Sequence, residues 1–374
     1  MKFTHAASAG ALALVAALAL SSCASTPSTP PASNTPKATS AAIDKNLTGT
    51  ITAGGSSAQA NAEAAWIAAF KTQAAGVTIN YDKSQGSGGG VTNWLAGSYD
   101  FAGSDSPLSP VQQTAAATLC GAGGALNLPV YLDGVAIVFN LTGVSKLNLS
   151  SATVAKIFSL QVKTWNDPAI AADNPGVTLP ATAITTVTRS DGSGTTQNFT
   201  NYLSTVQPTV WTSPASNKWP IAGSSAQQGG SGVVNTVKAG NGTIGYADHS
   251  AIGTLTAASI QVGTGKDFVA FSPKGATNAF TAAAVAAPTT VKGDLAQKLD
   301  YTKITDKSAY PIPLVSYQIV CSAFKTPAQA KLVKAYVGYI ASDIGQKITA
   351  ANAGSAPIPA NMLASIQKSL ALVK

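Results

Sequence analysis

Arg189 is the only arginine in a chain of 374 residues, and the other 22 basic side chains are lysines. It stands in Thr188-Arg189-Ser190-Asp191-Gly192-Ser193-Gly194-Thr195, where one guanidinium meets a carboxylate, two glycines and four hydroxyls. The planar fork of a guanidinium suits a bidentate partner, and a small oxyanion offers one. Downstream, Phe199, Tyr202 and Leu203 recur at helical spacing, so residues 192–195 are predicted to open a helix. Such an end carries free backbone N–H groups and a partial positive charge, to which Ser193 and Thr195 add hydroxyl donors. Asp191 is placed to accept from Arg189 and hold its fork toward a ligand. Taken alone, Asp191-Gly192-Ser193-Gly194 reads equally well as an ordinary turn.

The elements that would position this run repeat one plan: strand, loop, helix. Residues 184–188 form the strand that feeds Arg189. Residues 50–53 are a β-prone run that breaks into Gly54-Gly55-Ser56-Ser57, and an apolar helix with Trp66, Ile67 and Phe70 follows over 58–70. Ser57 and its neighbouring amides stand at the mouth of that helix. Residues 77–81 alternate as a strand and run into Ser84-Gln85-Gly86-Ser87-Gly88-Gly89-Gly90, with a helix expected over 91–96. Glycines there let backbone approach a ligand beside Ser87, and a flexible surface loop is the competing reading. A short strand starts at Phe101 and closes at Asp105 before a proline turn, where an acid is also an ordinary helix cap. Residues 130–139 read as a buried strand, Ser151 as the cap of a helix through Phe158, and residues 312–320 as another strand. Thr326-Pro327 opens a long helix whose Leu332, Val333, Tyr336, Val337 and Ile340 face the core. Gly240-Asn241-Gly242-Thr243-Ile244-Gly245 matches GxGxxG but leads into a strand, so it is a turn. Residues 251–300 carry helical stretches and little chemistry.

With 45% hydrophobic and 10% charged residues, the chain can bury a large core split into about two lobes. Its charge of +8 and pI near 9.3 come from scattered lysines without interleaved aromatics, a solvated face rather than a nucleic-acid surface. The apolar run 11–20 is too short to span a bilayer and reads as a signal-peptide core. It ends in Leu20-Ser21-Ser22-Cys23, which resembles a bacterial lipobox, with Cys23 the acylation site. From there to about residue 45 the chain is Ser, Thr, Pro and Ala, a tether that cannot pack. Cys120 and Cys321 remain, and an even pair in an exported chain suggests a disulfide, two buried thiols being the alternative. His249 is the only histidine beyond the signal peptide. Neither GxSxG, a P-loop nor an acid-and-histidine cluster for two metals occurs, so hydrolysis would lack its usual parts.

Together these blocks resemble the substrate-binding protein of the bacterial high-affinity phosphate ABC transporter. The likeness runs from about residue 50 to about residue 359. Its most specific pieces are residues 100–109 (DFAGSDSPLS), 163–170 (KTWNDPAI) and 189–195 (RSDGSGT). The resemblance implies an α/β, two-lobed periplasmic-binding-protein fold of type II, with two crossovers and each lobe a mixed sheet flanked by helices. It divides the chain into a signal peptide (1–22), a lipid-anchored linker (23–46), lobe 1 (47–132 plus 311–374) and lobe 2 (133–310). Inorganic phosphate would be held by Ser57, the Ala58 amide, Ser87, Asp105, Arg189, Asp191, Ser193, Gly194 and Thr195. The family usually carries Thr-Phe where this chain has Ser57-Ala58, which keeps a hydroxyl and an amide but loses an aromatic ring.

Near neutral pH phosphate keeps a proton that sulfate lacks, so an Asp105 carboxylate would accept from the one and meet only lone pairs on the other. The resemblance further implies a monomer without cofactor or metal, anchored by Cys23 to the outer face of the cytoplasmic membrane and serving a permease there. A secreted phosphohydrolase or a phosphate-sensing surface protein on the same fold is the alternative.

Overall fold

The computed structural model describes residues 43–374. The expected signal peptide, Cys23 and the linker up to residue 42 lie outside the described residues. The folded body starts at the end of that linker, where Ile43 packs on the core and Asp44 pairs with Lys331 at 2.7 Å.

The first half of the chain runs β1 (Thr48–Gly55), α1 (Ala60–Gln73), β2 (Gly76–Asp82), α2 (Gly86–Leu95), β3 (Phe101–Ser104), α3 (Pro110–Cys120) and β4 (Ala125–Asn140). It continues through β5 (Asn148–Leu149), α4 (Ser151–Phe158), α5 (Pro168–Asp173), β6 (Thr185–Arg189), α6 (Gly194–Val206), β7 (Ser225–Gln227), α7 (Gly229–Ala239) and β8 (Thr243–Asp248). After these come β9 (Thr256–Ala257), β10 (Ser259–Gln261), β11 (Phe268–Val269), α8 (Pro273–Ala283), β12 (Ala284–Ala286) and β13 (Gln297–Leu299). The chain closes with β14 (Pro313–Cys321), α9 (Pro327–Ile340), α10 (Asp343–Ala353) and α11 (Ala360–Ala371).

Among the described residues the main sheet has the order β2-β1-β3-β14-β4-β8-β6-β7, with β9 added on β4. The β1, β2 and β3 strands are parallel, as their helical crossovers require. Strand β14 enters antiparallel between β3 and β4, although some 200 residues separate it from either. Strand β4 joins two halves of the sheet. Its residues up to Gly134 pair with β14, and from Val135 to Asn140 it pairs with β8. A strand buried on both faces is mostly apolar, which is why Val135–Phe139 reads as a continuous run, and the two buried polar residues of β4, Asn127 and Asp133, are both hydrogen-bonded.

It is longer than the predicted 130–139, because Pro129 hid its first turn of pairing. Proline has no N–H to give, and it is accommodated where the β4–β14 register shifts between Ser316 and Tyr317.

Two further boundaries differ from expectation. Ser150, not Ser151, caps α4, its Oγ accepting from the Thr153 amide at 3.2 Å. The glycine-rich stretch predicted as a loop is the first turn of α2. An added Cβ at Gly90 would fall 2.7 Å from the Gly54 carbonyl, so these glycines permit helix and strand to touch. The gain in packing offsets a helix penalty of about 1 kcal/mol per glycine. The 251–300 region holds one helical stretch, α8, and otherwise short strands that were not expected.

Cys120 at the end of α3 and Cys321 at the end of β14 are joined, closing a loop with a sequence separation of 201. Constraining so long a loop in the unfolded chain stabilises the fold by about 3–5 kcal/mol.

Candidate functional site

Asp105 follows β3 directly and is 3% exposed. Its Oδ1 accepts from Ser56 Oγ and, at 2.7 Å, from Ser316 Oγ, while Oδ2 accepts from Thr195 Oγ1 at 3.1 Å. Its own amide donates to Ser87 Oγ at 3.1 Å, and its carbonyl accepts from Asn198 Nδ2 at 2.6 Å. The β1–α1 loop, α2, α6 and β14 therefore all converge on one acid. Burial raises its pKa, and the hydroxyl donors and the charge of Arg189 work against that rise. A carboxylate has about four acceptor positions, and three are used, which leaves one on Oδ2.

Helix α6 begins at Gly194 as predicted, capped by Ser193, whose Oγ accepts from the Thr196 amide at 3.1 Å. Only glycine fits at 194: a Cβ there would stand 2.5 Å from Ser87 Oγ and 2.7 Å from the Asp105 Cβ. The absence of that side chain lets the positive end of α6 reach Asp105 and α2. The Gly88 amide completes the approach by donating to the Gly192 carbonyl at 2.8 Å.

Arg189 ends β6 with its side chain 2% exposed. Its Nε donates to Asp191 Oδ1 at 2.7 Å and its Nη2 to Oδ2 at 2.5 Å. The brace expected from Asp191 is thus bidentate, and Asp191 also accepts from the Gly229 amide at 3.1 Å. Burial alone would raise the Asp191 pKa, but the hydrogen bonds and charge of Arg189 prevail and hold it below the usual carboxylate range. Gly86 lies against this ion pair while its neighbour Ser87 lies against Asp105, so the first turn of α2 links the two groups.

The first loop differs from expectation. Helix α1 starts at Ala60 rather than residue 58, and the Ala58 amide donates to Ser56 Oγ at 3.1 Å. Ser57 Oγ accepts from the Gly230 amide of α7 at 3.3 Å, so it faces a fourth helix start that the sequence reading passed over. Ser56, Ser316 and Asn198 were also missed. Ser316 left a trace: it and Gln318 are polar residues two apart in an otherwise apolar strand. His249 stacks on Phe271 with ring centres 3.9 Å apart. Beside Asp105 opens a cavity of about 370 Å3, lined by Ser87, Asn198, Asn217, Gln297, Lys298 and Tyr317.

A family model for the PBP superfamily domain matches residues 30–343. The phosphate-binding protein PstS 3 of Mycobacterium leprae is 36% identical over 291 residues, covering 77% of this chain and 78% of that protein. PstS3 of Mycobacterium bovis BCG is 34% identical over 340 residues, covering 90% of each. PstS of Xylella fastidiosa is 34% identical over 310 residues, covering 81% of this chain and 79% of that one. A solved structure of the phosphate-binding protein from Stenotrophomonas maltophilia shares the fold, with a TM-score of 0.67 at 21% identity over 86% of this chain and 93% of that one.

Proposed function

This chain belongs to the PBP superfamily and, within it, to the PstS phosphate-binding proteins, and from that membership we propose that it captures inorganic phosphate outside the cytoplasm. It would hold the anion in a cleft between two lobes and deliver it to an ABC permease for import. The observation that carries this reading is Asp105, a buried carboxylate surrounded by donors and retaining one acceptor position, linked by the first turn of α2 to the braced Arg189 fork. Arg189 supplies charge and two-point geometry, and Asp191 holds it. Ser57, Ser87, Ser193, Gly194 and Thr195 bring hydroxyls and amides around the starts of α1, α2 and α6, where the backbone favours anions, and the Ala58 amide would join them on leaving Ser56 Oγ. Asp105 accepts the proton that phosphate keeps and sulfate lacks. A site built this way rejects the partner without a proton because its buried acceptor would go unpaired.

The lobes we assign are residues 47–132 with 311–374, and residues 133–310. Two features support the division: β4 changes partner between Gly134 and Val135, and the Val135 amide donates to the Ile312 carbonyl at 2.9 Å. Both crossings thus lie side by side, a suitable place for a hinge. Closure about it would exclude water and strengthen each contact with the anion.

A thermal-shift panel of phosphate, arsenate, sulfate, molybdate and phosphonates tests the reading. Phosphate is expected to raise the melting temperature strongly and sulfate at the same concentration hardly at all. Equal shifts by both would rule out a proton-reading carboxylate. We also assign Cys23 as a lipid anchor, keeping a monomeric, non-enzymatic receptor at the outer face of the membrane. Mass spectrometry of the membrane fraction should then find a mature N-terminus at an acylated Cys23, and an unmodified Cys23 there would remove the anchor.

A further inference from the structure

Asp105 is the near end of a buried hydrogen-bond chain whose far end is a second carboxylate. Ser316 Oγ, which donates to Asp105 Oδ1, accepts from Gln59 Nε2 at 2.6 Å. Gln59 gives its other N–H to the Tyr317 carbonyl at 3.0 Å, and its Oε1 accepts from Gln318 Nε2 at 3.0 Å. Gln318 gives its second hydrogen to Glu63 Oε1, and Glu63 Oε2 accepts from the Tyr336 hydroxyl at 2.6 Å. Every side chain in this series is at most 3% exposed.

The direction of the chain follows from its far end in its ionised form. Burial pushes the Glu63 pKa up to about 7 against the hydrogen bonds from Tyr336 and Gln318, and above that pH the carboxylate only accepts, so Gln318 must turn its nitrogen toward Glu63. The same nitrogen meets Gln59, which must then show Oε1 to Gln318 and Nε2 to Ser316. Facing an N–H on that side, Ser316 finds no acceptor there and gives its single proton to Asp105. An independent sign of this constraint is Gln318 Oε1, which is buried without any partner. An orphaned buried acceptor is unfavourable, so a stronger demand holds the amide this way round, and the Glu63 carboxylate makes it.

We infer that Glu63, through Gln318, Gln59 and Ser316, is a positioning residue that keeps Asp105 Oδ1 a fixed acceptor and leaves Oδ2 to read the proton on phosphate. The inference rests on the role of Asp105 proposed above. In Glu63→Gln the new amide can donate and Gln318 is free to turn over and pair its orphaned oxygen. The Gln318 oxygen then opposes Gln59 Oε1 and presses Gln59 to turn over against its bond to the Tyr317 carbonyl, so that Ser316 can donate to Gln59 instead. Ser316→Ala removes the last donor outright.

Calorimetric titration with phosphate and with sulfate reads the effect in both variants, beside Asp105→Asn. The ratio of the two affinities is expected to fall about tenfold or more in Glu63→Gln and in Ser316→Ala, the worth of one hydrogen bond to a charged group. If Asp105→Asn collapses the ratio while both other variants stay within about twofold of the parent, the relay is refuted and the site stands. An unchanged ratio in Asp105→Asn refutes the site itself. Parallel loss of both affinities with the ratio intact makes Glu63 a packing residue and overturns the inference. Should Glu63→Gln fail to fold, Ser316→Ala decides.

Discussion

Arg189→Ala lowers the affinity for phosphate by about two to three orders of magnitude. The estimate comes from the cost of breaking a buried ion pair, about 3–5 kcal/mol, at about 1.4 kcal/mol per tenfold. Two effects act together. The anion loses the one cationic fork near Asp105, and Asp191 is left as a half-buried carboxylate with only the Gly229 amide. The site then carries two acids facing an anion with no cation between them. Arg189→Lys separates charge from shape, since an ammonium keeps the charge but cannot hold Asp191 bidentately and present a planar edge at once. It is expected to recover part of the affinity, remaining about tenfold or more below the parent. Calorimetry on folded protein checks both, and an alanine variant that binds phosphate like the parent would exclude Arg189 from the site.

Asp105→Asn abolishes most of the preference for phosphate over sulfate. The variant is isosteric, and its orientation follows from the donors already present. Ser56 and Ser316 both donate to Oδ1, so the amide carbonyl takes that place and the NH2 group takes the place of Oδ2. The proton on phosphate then meets a donor, and a sulfate oxygen finds a hydrogen bond. Discrimination of this kind spans about 10⁴ to 10⁵ in sites built around an obligatory partner, and a fall of about 100-fold or more is expected. Phosphate should bind more weakly and sulfate more tightly. Competition titration of the two anions reads the change directly, and an unaltered preference would mean that Asp105 does not face the ligand.

Much of this site is legible in the chain itself, and the reason is local. A helix start is made by consecutive residues: a capping hydroxyl, glycines that admit close approach, and apolar positions one turn later. The stretch from Arg189 to Leu203 contains all of these, with Phe199, Tyr202 and Leu203 as the apolar positions, so the start of α6 and the Asp191 brace follow from one local run of sequence. Asp105 at a strand end and the pairing of Cys120 with Cys321 are similarly marked.

Tertiary structure decided what lies between such runs. Which of two adjacent serines reaches Asp105 depends on how the β1–α1 loop enters the core, and Ser56 does so while Ser57 turns to α7. The glycines of α2 look like a loop because local propensity disfavours helix there, until contact with β1 outweighs it. Ser316, Gln59, Gln318 and Glu63 meet only because β14 inserts between β3 and β4, bringing together residues more than 200 positions apart. Strand order is a property of the whole sheet, settled by the total burial of its faces, and no window of neighbouring residues encodes it.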